Sequence, residues 1–112
     1  MVSSSEFIKG YTKMIICSYL FNGRNYLYNI VKQILIDGEG YIKLSNPSAL
    51  IIMKELEEEE LISFTLETTN NNQIRKYYEL TLKGRNYYLS NKDDYIKSLN
   101  CLKKLIGDKN ER

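Results

Sequence analysis

The chain has 112 residues, 43% of them hydrophobic, which suits one compact core and leaves no room for a second domain beside it. Lys+Arg total 16 against Asp+Glu 14, a net charge of +2 that excludes a polycation or an acidic tail and leaves any charged patch to local arrangement. With His 0, imidazole bases and imidazole metal ligands are excluded, so neither an enzyme nor a metal or other cofactor is expected.

From about Ser5 to Leu20, the residues Phe7, Ile8, Tyr11, Met14, Ile15 and Tyr19 recur at steps of three and four, the spacing of an amphipathic helix. Asn22-Gly23 stops it. A second helix is expected from Asn25 to Ile36, burying Leu27, Ile30, Val31 and Ile34 with Asn29, Lys32 and Gln33 outward, and Asp37-Gly38-Glu39-Gly40 ends it. Tyr41 to Leu44 is a short extended piece. Ser45-Asn46-Pro47 then supplies a cap, with proline at the first helical position, for a third helix running to about Glu60. Leu50, Met53 and Leu56 or Glu57 should face the core, with Ser48, Ile52 and Glu55 on the opposite side.

Beyond Leu61 the period changes to two, with Ile62, Phe64 and Leu66 alternating with Ser63, Thr65 and Glu67. Thr69-Asn70-Asn71-Asn72 is a turn composition, because asparagine tolerates positive φ, and a second strand follows from about Gln73 to Leu80. A last helix starts at Leu82 or Lys83, carries Tyr88, Tyr95, Leu99, Leu102 and Ile106 as a stripe, and is capped by Gly107. Cys17 and Cys101 lie outside any C-x-x-C pair, and both read as reduced core thiols. No stretch approaches the roughly 18 consecutive apolar residues of a membrane span, and Met1 to Glu6 lacks a cationic leader, so a cytoplasmic location is expected.

Three helices followed by a hairpin is the order of an α+β winged helix-turn-helix domain, here with an added C-terminal dimerisation helix. Lys54-Glu55-Leu56-Glu57-Glu58-Glu59-Glu60-Leu61-Ile62 resembles the end of the recognition helix of the PadR family of bacterial regulators, where it enters the first wing strand. Arg75-Lys76-Tyr77-Tyr78-Glu79-Leu80-Thr81-Leu82-Lys83-Gly84-Arg85 is similar to that family's second wing strand and the turn into its last helix, and Tyr28-Asn29-Ile30-Val31-Lys32 resembles its second helix. The likeness runs from about residue 14 to 106. Two departures stand out: Ser48-Ala49-Leu50-Ile51 occupies the place of a Thr-Leu-Tyr-Pro run, and Glu60 stands where the family carries glycine. The expected organisation is a winged domain over 1–82, a dimerisation helix over 83–107 and a flexible tail at 108–112.

In such a domain the start of the third helix enters the major groove, where Ser45, Asn46 and Ser48 are small and polar enough to approach bases or hold a phosphate. Ile52 has two readings, against thymine methyl groups or as a wider core contact. The acidic run Glu57 to Glu60 must point away from the duplex. From Ser63 to Lys92, five cations against Glu67 and Glu79 leave a local balance of +3, and Arg75 and Lys76 with Asn71, Asn72 and Gln73 are candidates for flanking phosphates or the minor groove, unless they merely cover a surface hairpin. Arg24, Tyr28 and Lys43 are further phosphate candidates.

The stripe of Tyr88, Tyr95, Leu99, Leu102 and Ile106 suggests pairing with a symmetry mate, although Lys92 interrupts it and intramolecular packing stays open. The PadR resemblance implies that this helix packs on the partner's first helix, along Phe7, Tyr11, Met14, Ile15, Ser18 and Tyr19. Some members of that family hold flat aromatic compounds between subunits on tryptophan; with Trp 0 here, and with tyrosines that serve a core as well as a pocket, no effector is assigned. The resemblance implies a homodimeric transcriptional repressor on double-stranded DNA, expected to be an AT-rich inverted repeat. Two alternatives stay open: a plasmid or phage accessory protein for partition or a transfer origin, suited by the AT-rich coding bias of abundant Ile, Lys, Asn and Tyr, and a protein-interaction module docking through its acidic run.

Overall fold

The computed structural model describes residues 9–107; the expectations for Ser5, Phe7 and Ile8 and for a tail at 108–112 fall outside them. A 3-10 turn at Lys9–Tyr11 leads into α1, Thr12–Phe21. Its core face is Ile16, Cys17 and Leu20; of the expected stripe, Ile15 and Tyr19 pack at the edge of that core, while Tyr11, Met14 and Ile15 also line a groove toward the last helix. The expectation of a single amphipathic stripe therefore gives way to a helix that is apolar on both sides, a pattern that belongs to helices covered on both sides.

Helix α2, Leu27–Asp37, buries Ile30 and Ile34 and rests Leu27 and Val31 against the same core. Asn25 opens it, since its Oδ1 accepts from the Tyr26 amide at 2.9 Å and from the Asn29 side chain at 2.9 Å. Gly38 closes it: a Cβ there would lie 2.9 Å from both the Ile34 carbonyl oxygen and the Ile42 Cβ, so only glycine lets the chain turn back so tightly.

Helix α3, Asn46–Glu58, starts from Ser45, whose side chain accepts from the Ser48 amide at 3.2 Å. Ala49, Met53 and Leu56 are fully buried and Ile52 packs beside them: Met53 and Leu56 hold their expected places, but Ala49 takes the place expected for Leu50, which is exposed, and Ile52, expected on the opposite side, joins the core. Small Ala49 lets α3 approach the other helices, which carries the bulkier Leu50 round to solvent. The helix also ends two residues sooner than Glu60. The Glu60 amide donates to the Glu57 carbonyl and the Leu61 amide to the Leu56 carbonyl, and Glu60 takes φ 61°. This is a Schellman turn with glutamate at the left-handed position, where glycine avoids a steric cost of about 1–2 kcal/mol.

Strands β1, Ile62–Thr68, and β2, Ile74–Leu80, pair antiparallel with Phe64 opposite Tyr78 and Glu67 opposite Arg75. The root of the hairpin is enclosed, with Ile62 and Tyr78 buried, whereas Phe64 and Leu66 further along the same alternating face are exposed. Asn72 turns the tip with φ 60°, and Asn25 fastens β2 to the body by exchanging backbone hydrogen bonds with Tyr78 at 3.0 and 2.7 Å.

Helix α4, Leu82–Gly107, is capped by Thr81, whose hydroxyl accepts from the Gly84 amide at 3.0 Å and donates to the Glu60 carbonyl at 2.7 Å. A Cβ on Gly84 would sit 1.9 Å from the Leu61 carbonyl oxygen, so the first turn of α4 lies directly on the chain leaving α3. Tyr87 and Tyr88 pack on the core, but the distal turns are exposed, Cys101 among them, so Cys101 is not the core thiol it was expected to be. Gly107 is the last helical residue rather than a cap beyond it. The protruding helix gives a radius of gyration of 15.9 Å, against about 13 Å for a compact domain of this length. Among the described residues no helix is long and apolar enough to cross a membrane.

Candidate nucleic-acid interface

The Ser45 cap fixes which side of α3 faces outward. Asn46, Pro47, Leu50, Ile51 and Lys54 are exposed, whereas Ser48 is half-buried, its hydroxyl 2.9 Å from that of Ser45. Of the two readings of Ile52, the structure takes the core contact; Ile51, 59% exposed, is the isoleucine that faces out. Leu50, Ile51 and Lys54 thus join this face, Leu50 against its expected place in the core. The missing signal was the core register: once Ala49 is recognised as the core residue, its neighbours must turn outward.

Beside this face, Tyr28, Lys32, Lys43 and Asn46 line a shallow cleft of about 220 Å³ floored by Val31 and Leu44. The structure thereby brings together three candidates from separate segments, Tyr28 on α2, Lys43 on the approach to α3 and Asn46 in its first turn, and adds Lys32. Two ammonium groups and a phenol on one rim, next to the positive end of a helix, suit an anionic ligand.

The wing cations are engaged with the body. Arg24 pairs with Glu67 and lies 4.5 Å from the Tyr77 ring centre, and Arg75 lies 4.1 Å from the ring centre of Tyr26, which itself meets Tyr77 edge-on at 5.6 Å. The hydrogen bond to Glu67 raises the Arg24 pKa, and that to Tyr77 raises the Arg75 pKa, so both stay cationic. Lys76 is held 3.2 Å from Glu57 and 3.8 Å from the Phe64 ring centre on the other sheet face. These three cations orient the hairpin, and the exposed tip is left to Asn71, Asn72 and Gln73. Glu59 pairs in turn with Lys13, which lies 3.7 Å from Glu55, so much of the acidic end of α3 is tied to α1 and β2.

On the opposite side, α1 and α4 bound a groove of about 590 Å³ lined by Tyr11, Ile15, Tyr88, Tyr95, Leu99, Leu102 and Ile106. Tyr11 meets Tyr95 edge-on at 5.4 Å and its hydroxyl lies 3.0 Å from that of Ser98. Tyr19 is not part of the lining; it donates to Asp37 at 2.6 Å, and burial together with that bond pushes its phenol up to about 12.

Residues 16–90 match the model of the transcriptional regulator PadR-like family. No curated protein matches the chain. Among solved structures, a transcriptional regulator from Clostridium thermocellum is similar with a TM-score of 0.79 and 25% identity, over 95% of this chain and 99% of that one. A PadR-like transcriptional regulator from Bacillus cereus gives 0.76 and 22%, over 92% and 98% of the two chains. Bacillus subtilis PadR in complex with operator DNA gives 0.64 and 20%, over 70% of this chain and 44% of that one.

Proposed function

Since this chain belongs to the PadR-like family of transcriptional regulators, we propose that it acts as a cytoplasmic repressor that binds an AT-rich inverted repeat of double-stranded DNA as a homodimer. The observation that carries this reading is the capped, exposed start of α3 set beside the Tyr28–Lys32–Lys43 cleft, with Glu57 and Glu59 turned back into ion pairs. Operator DNA in the B. subtilis protein, which shares the fold, supports the choice of ligand. Asn46, Ser45 and Ser48 lie at the groove, Tyr28 and Lys43 on its phosphates, and the tip of Asn71, Asn72 and Gln73 over the flanking backbone. Arg24, Arg75 and Lys76 set the angle of the wing.

The body over 1–82 reads DNA and the helix over 83–107 pairs the copies. Leu99, Leu102 and Ile106 stay substantially exposed in one copy, and a two-fold mate would cover them with its own α1 and α4. The protein works by occupying its site, without catalysis, and no effector is assigned. An acidic docking module is disfavoured because Glu57 and Glu59 are already paired.

Binding to duplexes selected from a random pool, titrated against salt, tests the reading. The log–log slope should be steep, and Lys32→Ala with Lys43→Ala should flatten it by about 0.9 for each lost phosphate contact. Absence of duplex binding at low salt overturns it.

A further inference from the structure

The outward face of α3 is unusual for a surface that meets DNA. Over its first three turns it presents Asn46, Pro47, Leu50, Ile51 and Lys54, with no arginine or glutamine among them, and the acidic side chain of those turns, Glu55, lies 3.7 Å from Lys13 of α1. Guanine is read best by a bidentate arginine or lysine and adenine by asparagine or glutamine; a lone Asn46 in the first turn and a lone Lys54 in the third leave the centre of the face without a hydrogen-bonding reader. That centre is apolar. Ile51 is 59% exposed and Leu50 40%, side by side, while the core contacts of the helix are made by Ala49, Ile52, Met53 and Leu56. Neither side chain is among those packed on the core. In the major groove one base-edge group is apolar, the C5-methyl of thymine.

We propose that Ile51 and Leu50 are the specificity-determining residues of this chain, and that they select sites by enclosing thymine methyl groups in the major groove. The inference rests on the DNA-binding reading above and deepens it. Lys54, one turn further along the same face, and the cationic cleft at Lys32 and Lys43 hold the flanking phosphates and so bring the apolar pair against the base edges. Selection then comes from shape and desolvation, and it favours T·A pairs in one orientation at fixed positions of each half-site.

The test uses the full chain and the best duplex drawn from a random pool, with each thymine replaced in turn by deoxyuridine, which removes the methyl and keeps every hydrogen-bonding group. One or two thymines per half-site should each lose about four-fold in affinity, the transfer of one buried methyl, and the remaining positions should be indifferent. Ile51→Ala should weaken the parent duplex and abolish the thymine–deoxyuridine difference at one position, with Leu50→Ala doing so at its neighbour; both positions are exposed, so the fold and the salt dependence stay unchanged. Duplex binding that ignores every deoxyuridine, or a difference that survives in both variants, overturns the inference and leaves the DNA-binding reading standing. Failure of the wild-type chain to bind any duplex overturns both.

Discussion

In the body of the molecule Ile16, Ile30, Met53 and Leu56 are wholly enclosed, whereas on the distal half of α4 the exposure of Ile96, Leu99, Leu102, Leu105 and Ile106 runs from 44% at Leu102 to 81% at Ile106. Both regions have the same kind of side chain, and each fully buried one contributes about 1.5–3 kcal/mol. The body realises that energy within one chain through α1, α2, α3 and the wing root. The distal helix does not, because among the described residues the α1 face and Ile42 are what lie across the groove from it. On the proposed two-fold pairing, folding and association fall to different residues, and substitutions in the two regions should fail in different ways.

The largest effect is expected from Leu99→Asp combined with Leu102→Asp. Charging two seam residues should weaken self-association by about 4 kcal/mol or more, on the order of a thousand-fold, while circular dichroism and unfolding of the body stay near wild type. Analytical ultracentrifugation distinguishes this from loss of the fold. Next is Gly84→Ala, where the new Cβ would meet the Leu61 carbonyl oxygen at 1.9 Å; α4 must shift, with about 3 kcal/mol lost in urea unfolding. A protein as stable as wild type would contradict the close seat of α4 on Leu61.

The two cysteines carry the same contrast in their chemistry. Burial pushes the Cys17 thiol from 9.0 to about 11, whereas Cys101 is exposed on α4. A maleimide at pH 8 should label Cys101 quickly and reach Cys17 only on unfolding. Because the folded pKa is the higher one, the contribution of Cys17 is complete below pH 9 and is lost as pH rises toward 11, about 3 kcal/mol in all. Stability that is flat across that window would place Cys17 outside the core.

Smaller effects sharpen the description of the body. Glu60→Gly should raise stability by about 1 kcal/mol, since it releases a left-handed glutamate and removes one charge from the acidic run. Glu67→Gln should cost no more than about 0.5 kcal/mol in thermal unfolding, because its pair with Arg24 is at the surface. Each outcome is read from the shift in midpoint.

Element order, the wing turn at Asn72, the Ser45 cap and the core positions of α2 are legible in the sequence because each depends on local chemistry: capping, positive φ, or a stripe with one apolar side. Faces are harder wherever both sides of a helix are apolar. On α1, Ile16 and Cys17 compete with Met14 and Ile15, and on α3 the small Ala49 is outweighed by Leu50, although close approach of the helices favours Ala49. The candidate site inherits that ambiguity, so Ile51 replaces Ile52 on the outward face. The partners of Arg24, Arg75 and Lys76 were hidden for another reason. They lie on elements that only the folded chain brings together, and cationic residues on a hairpin look alike in sequence whether they meet phosphate, a carboxylate or a tyrosine ring.

The most direct test of the central claim is the stoichiometry of the chain on its selected duplex, measured by sedimentation equilibrium at matched low salt. Two copies of the 13.2 kDa chain per duplex, bound together with no stable one-copy complex, is the predicted result. Stable complexes holding one copy, unchanged by Leu99→Asp with Leu102→Asp, would contradict it.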